Sequence, residues 1–299
     1  MASAAWPVLL AVAAACAIGT GAALQQQSAH GVSGSGSGGI RLIAILLRRP
    51  IWLAGVAVMV AGYALQAAAL GLGRLAVVEP CLATALIFAL LVAARRRRSW
   101  PRPADGVAMV LAAGGVALFL VVAAPTGGRS QPPAIWWAPL LVGLGALGTV
   151  VLWRSGRWSP RRAAMSLAAV AGMTIGASDA LVKTTLAAAG ERHVAVLATF
   201  PPYLLVIVGA AGFLLQQHAY RVGELKSALP AASVLEPLTG TVLGLTLFEE
   251  RIAAHDLGSA LALMLAALAM IVGVWRLGGA PLLGQRPAAV ELEAEPGES

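Results

Sequence analysis

Charge is scarce in this 299-residue chain. Only 11% of its residues are Asp, Glu, Lys or Arg, against about 25% in an ordinary soluble domain. A chain that is 59% hydrophobic, with a mean hydropathy of +0.82, cannot cover itself with polar groups in water. Lysine is limited to Lys183 and Lys226. The two cysteines, Cys16 and Cys81, both lie in apolar runs without a CxxC or a histidine partner; that excludes a disulfide framework and reads as small buried hydrophobes. Aromatic residues make up 5%. No basic face interleaves with them, so the net charge of +8 does not point to nucleic acid, and anionic lipid headgroups explain it at about 1 kcal/mol per basic residue. Phosphate loops, G-x-G-x-x-G turns, HExxH and G-x-S-x-G motifs are all missing, which argues against nucleotide-driven work and leaves no catalytic residue or cofactor to assign.

Long apolar runs are what the chain does have. They fall at 4–24, 50–73, 75–94, 104–125, 134–153, 163–190, 194–216, 228–248 and 256–277, each near the roughly 20 residues that a spanning helix needs. They are rich in Ala and Gly, which lets helix backbones approach closely in lipid. None alternates apolar and polar residues as a barrel strand would. The expected fold is therefore all-α: a polytopic membrane protein of about nine spans whose first partner is the bilayer. Between the spans, residues 31–39 (GVSGSGSGG) read as a flexible linker, and the acidic tail from Gln285 to Ser299 as disordered.

Basic residues set the orientation. One set of alternate loops holds Arg41, Arg48, Arg49, Arg95 to Arg98, Arg102, Arg154, Arg157, Arg161, Arg162, Arg221, Lys226, Arg276 and Arg286; the other holds only Arg74, Arg129, Arg192 and Arg251. The first set is expected in the cytoplasm, which puts the N-terminus outside and the C-terminus inside a plasma membrane. Residues 1–24 lack the basic n-region of a signal peptide, and their removal would leave Arg41, Arg48 and Arg49 outside, so the first run is read as a retained span.

The two halves resemble each other. Gly62-Tyr63-Ala64-Leu65-Gln66 reads against Gly212-Phe213-Leu214-Leu215-Gln216, and Val78-Glu79-Pro80 answers Leu235-Glu236-Pro237 after an insertion of about two helical turns. Gly106 pairs with Gly258, and Ile18-Gly19 with Ile175-Gly176. The expected organisation is a first repeat over 1–133, a linker helix and basic loop over 134–162, a second repeat over 163–278 and a tail over 279–299. One odd span between the halves inverts the second, the architecture of many secondary transporters, which bind near the midplane where the repeats meet.

Gln216-Gln217-His218-Ala219-Tyr220-Arg221, Leu229-Pro230, Val234-Leu235-Glu236-Pro237 and Leu247-Phe248-Glu249-Glu250-Arg251 resemble the second half of the drug/metabolite transporter (EamA-like) superfamily, whose last two helices are joined by a similar L-x-E-R turn. The nine-span count is similar to the NIPA-type magnesium transporter branch. The first half departs from the pattern, since Ala94 to Arg98 replaces the acidic turn. The resemblance implies a transporter of a small metabolite or a cation.

Ionisable groups at membrane depth cost at least about 2.5 kcal/mol each on insertion scales, so each needs a reason. Glu236 lies about two turns into its run and Glu79 about one turn into the matching one. Pro237 and Pro80 lack an N–H, freeing the carbonyls of Ser233 and Ala76. A carboxylate beside freed carbonyls is a cation or proton site; the alternative for Glu79 is a headgroup-seeking side chain with Pro80 in a first helical turn. Asp179 and Lys183, four apart on one helix, can pair with each other or contact substrate. Gln66 and Gln216 either line the pore or hydrogen-bond between helices. Pro201-Pro202 are expected to break or kink their span, as a hinge or for packing. His30, His193, His218 and His255 sit at span ends with no metal-ligand spacing, and Glu249-Glu250-Arg251 read as a solvated turn. A membrane-embedded enzyme, a non-transporting or lipid-handling partner, and a homodimer remain open alternatives.

Overall fold

The computed structural model describes residues 2–30, 47–97, 101–222, 225–253 and 256–279. The linker at 31–39, Arg41, Arg98, His255 and the tail from Gln285 lie outside the described residues. In chain order the elements are α1 (Ala2–His30), α2 (Pro50–Leu72), α3 (Leu75–Leu82), α4 (Ala85–Arg97), α5 (Pro103–Ala123), β1 (Thr126–Gly127), α6 (Ala134–Ser155), α7 (Pro160–Arg192), a 3-10 turn (His193–Ala198), α8 (Pro201–Val222), α9 (Leu225–Thr246), β2 (Glu250–Arg251) and α10 (Leu257–Gly279). Among the described residues nine helical segments are long and apolar enough to cross a membrane. The protein is an all-α, multi-pass membrane protein. Among the described residues one ribbon pairs Thr126 with Arg251 and Gly127 with Glu250, joining two loops at the same end of the bundle.

Proline sets many of the boundaries. Pro50, Pro103, Pro160 and Pro201 each open a helix, where a missing N–H costs nothing and the fixed φ already suits the helix. This corrects the expectation for Pro201-Pro202. They start α8 after a short 3-10 turn and do not kink a span running from 194.

A second correction concerns the run at 75–94, which is not one helix. It breaks at Ala83 and Thr84, separating α3 from α4. Pro80 cannot donate to Ala76. Around the break the Thr84 hydroxyl and N–H both turn onto the Cys81 carbonyl, at 2.6 and 3.1 Å. Pro80 lies in the second turn of α3, too deep for the first-turn reading. Its counterpart Pro237 sits inside an unbroken α9.

Helix α7 is the central column, packed against α8, α9, α6 and α2. Its small residues make this fit. A Cβ on Gly172 would lie 2.6 Å from the Ala232 carbonyl oxygen and 3.1 Å from the Glu236 nitrogen, and one on Gly176 would lie 2.5 Å from the Glu236 oxygen. Helix α9 therefore crosses α7 backbone to backbone at Glu236, the contact that small residues permit.

The matches between the halves recur as contacts. α1 packs on α2 as α7 packs on α8, and the halves meet through α3 with α9 and α5 with α10. A Cβ on Gly62 would meet Ile18 Cγ1 at 2.8 Å; one on Gly212 would meet Ile175 Cγ1 at 2.9 Å. Gly19 and Gly176 each abut the third span of their own half. Gly19 meets it at Ala85, beyond the break, whereas Gly176 meets α9 at Glu236 itself. The break in the first half thus shifts that contact further along its helix.

Candidate functional site

One cavity of about 240 Å³ lies where the halves meet, lined by Gln66, Glu79, Asp179, Gln216, Glu236 and Ser233 among apolar Ile18, Leu86, Ile175 and Pro237. Three pairs matched in sequence, Ile18 with Ile175, Gln66 with Gln216 and Glu79 with Glu236, therefore face a single space. Its lining holds three carboxyl groups and no Lys, Arg or His.

Each carboxyl is placed by a packing feature. Glu79 is carried by the short α3 and is fully buried. Gly240 on α9 makes room for it, since a Cβ there would fall on the Glu79 side chain. Neither Glu79 oxygen accepts a hydrogen bond from a donor, and the Asp179 carboxyl stands beside it. This excludes the headgroup-seeking alternative for Glu79. Asp179, on the central column, accepts a hydrogen bond at Oδ1 from Gln66 Nε2 at 3.0 Å, while Oδ2 is buried with no donor among the described residues. Glu236 is half-buried and brought in by the Gly172 and Gly176 crossing. Adjacent carboxyls in a poorly solvated space cannot all be ionised without a counter-charge. A proton or a cation supplied from outside the protein meets that need.

Gln66 bridges two helices through its bond to Asp179 and also lines the cavity. Gln216 lines the cavity half-buried. Among the described residues no group of three or more His, Cys, Asp or Glu is placed to hold a metal ion.

Lys183 does not neutralise this cluster, and of the two readings open for Asp179 and Lys183 their pairing with each other is excluded. Its Nζ lies 2.7 Å from Oε1 of Glu250, with the Phe248 ring 4.9 Å away. A four-residue offset puts Asp179 and Lys183 on one face, but the lysine has a nearer partner that sequence spacing does not show. Glu250 is 3% exposed, so the solvated-turn reading of Glu249-Glu250-Arg251 is also corrected. Its two oxygens accept from the N–H groups of Leu75 and Ala76, both at 2.8 Å. Those are first-turn donors of α3 that have no partner within the helix, and the helix end favours an anion. In the sequence Glu250 is masked by its neighbours, because adjacent Glu249 and Arg251 mark a surface turn. The one available hint was Lys183 itself, a buried cation in need of an acid.

A second, larger cavity of about 940 Å³ opens at the end where Arg74 and Arg129 lie, and is lined also by Val77, Gly127, Lys183 and Glu250. It shares no lining residue with the carboxyl cavity. Leu70, Leu75, Ala76, Val78, Ala180 and Leu181, all at 0% exposure, pack between these positions on α2, α3 and α7.

Fold and cavity together define a polytopic helical membrane protein with an acidic central pocket. The chain is 29% identical over 271 residues to a protein of Corynebacterium glutamicum described only as uncharacterized, covering 89% of this chain and 92% of that protein. No protein-family profile matches the chain, and no solved structure matches it.

Proposed function

We propose that this protein is a secondary-active transporter that carries a small metabolite or cation across the plasma membrane by alternating access between two inverted repeats. The observation that carries the reading is the single pocket built from matched residues of both halves, with Glu79, Glu236 and Asp179 gathered in it. A pocket at a repeat interface is where such carriers bind. Buried acids with no protein cation among them are costly unless they serve a cargo or a coupling ion. The acidic, half-apolar lining favours a positively charged cargo, or a neutral one moved with protons.

In this mechanism Glu236 exchanges a proton or cation as the halves rock about the pocket, and Gln66 holds Asp179 in place. The arginine distribution supports a topology with the N-terminus outside and the C-terminus in the cytoplasm. The resemblance to the drug/metabolite transporter superfamily supports the same class, and its NIPA-type branch supplies the alternative of a divalent cation as cargo.

Flux in proteoliposomes tests this reading, with a panel of organic cations, amino acids, neutral metabolites and Mg²⁺ under imposed proton gradients. Glu236→Gln should abolish or strongly reduce flux and flatten its pH dependence. Flux and pH profile identical to the parent protein would remove Glu236 from the mechanism, and a protein inert to the whole panel would remove transport.

A further inference from the structure

Lys183 and Glu250 stand outside the carboxyl pocket, yet both attach to the helices that form it. Asp179 and Lys183 lie one turn apart on α7, and Glu250 holds the first turn of α3, which carries Glu79 one turn further in. The same carboxylate thus ties the Asp179 helix to the Glu79 helix. Glycines fit tightly around it: a Cβ on Gly244 would lie 2.7 Å from Glu250 Oε2, and one on Gly128, at φ +93°, would lie 2.9 Å from its Cγ. The Lys183–Glu250 pair lines the larger cavity, on the side away from the pocket. Phe248 lies against the lysine and Arg74 and Arg129 line the same cavity; the charge-assisted bonds of Glu250 join α3, α7 and the β2 loop.

Helix α3 is set off from the rest of its apolar run. It is eight residues long and parted from α4 by the turn at Ala83 and Thr84. Its amino end is held by a buried charged pair whose two residues line the wall of the 940 Å³ cavity.

We propose that Glu250, held by Lys183 and clamped on the amino end of α3, is the latch that closes the carboxyl pocket toward the Arg74–Arg129 end. Release of α3 from Glu250 opens the pocket to that side. Glu250 acts here as a positioning residue: it does not touch the cargo but sets where α3 and Glu79 stand. This inference rests on the transport reading for its purpose, while its geometry can be tested without flux.

The test is thiol accessibility in the full-length protein, with Cys16→Ser and Cys81→Ala removing the native thiols. Sealed vesicles are chosen in which a Ser130→Cys reporter reacts with an external impermeant maleimide and an Arg157→Cys reporter does not. A Ser233→Cys reporter, in the pocket wall, should then react slowly from outside. Adding Lys183→Met or Glu250→Gln should raise its rate at least tenfold, and Lys183→Arg, which keeps the charge, should restore protection. Should Glu250→Gln not accumulate as folded protein, Lys183→Met carries the test. An unchanged Ser233→Cys rate in folded Lys183→Met protein overturns the latch. Faster labelling in a protein that moves no member of the substrate panel supports the latch and counts against transport, whereas normal flux with unchanged labelling counts against the latch alone.

Discussion

Gly176→Ala tests the packing that assembles the site. Gly176 sits where α7 and α9 cross, and its new Cβ would lie 2.5 Å from the Glu236 carbonyl oxygen, 3.1 Å from the Gly240 nitrogen and 3.1 Å from the Thr239 Cβ. A carbon and a carbonyl oxygen in close contact ordinarily stand about 3.3–3.6 Å apart, so the helices must part by about 1 Å at this point. Two of the three neighbours are backbone atoms in regular helix and cannot swing aside. Overpacking of this kind costs about 1–3 kcal/mol, which corresponds to a midpoint loss on the order of 2–12 °C. Gly143→Ala and Gly145→Ala on α6 are the controls, because nothing lies within 4 Å of either new Cβ. They should be neutral or stabilising by about 0.5–1 kcal/mol, as Ala replaces Gly in a helix interior. The assay is thermal inactivation in detergent, followed by the retained monodisperse fraction. Gly176→Ala should also displace Glu236 from Asp179 and lower flux. If Gly176→Ala melts with the α6 controls, the backbone crossing is misplaced and so is the reason for Glu236 facing the pocket.

Other consequences follow from the same geometry. Removing one partner of the buried Lys183–Glu250 pair, with side chains 10% and 1% exposed, should cost about 3–5 kcal/mol. Arg129→Ala, which breaks the exposed pair with Glu249 at 37% and 62% exposure, should cost less than about 1 kcal/mol; equal melting shifts for the two would contradict the burial difference. Gln66→Leu leaves Asp179 Oδ1 without its donor and should destabilise by about 1–3 kcal/mol, whereas Gln216→Leu should change flux with little loss of stability, a split readable from melting and uptake together. Detergent-solubilised protein should react with a thiol reagent at the exposed Cys16 well before the buried Cys81; simultaneous labelling would mean that α3 is not packed as described.

The membrane assignment was legible in the sequence because it depends on sums. Nine apolar runs of the right length need no tertiary information, and neither does the pairing of Gln66 with Gln216 or of Glu79 with Glu236. Three of the matched pairs face one cavity. Helix boundaries were less legible. The run at 75–94 is apolar throughout, and only hydrogen bonding around Pro80 divides it.

What the residue order alone determined is the solvent this chain requires and the long apolar helices that meet it, since length and hydropathy are properties of contiguous text. Tertiary structure decided which acid neutralises Lys183. An i,i+4 offset brings two side chains to one face of a helix, but the choice between Asp179 and Glu250 depends on a loop 67 residues away and on two glycines that leave space for a carboxylate. Folding likewise decided that Asp179 joins Glu79 and Glu236 in one pocket, because the close approach of α7 and α9 is a contact between distant segments. No local pattern encodes it.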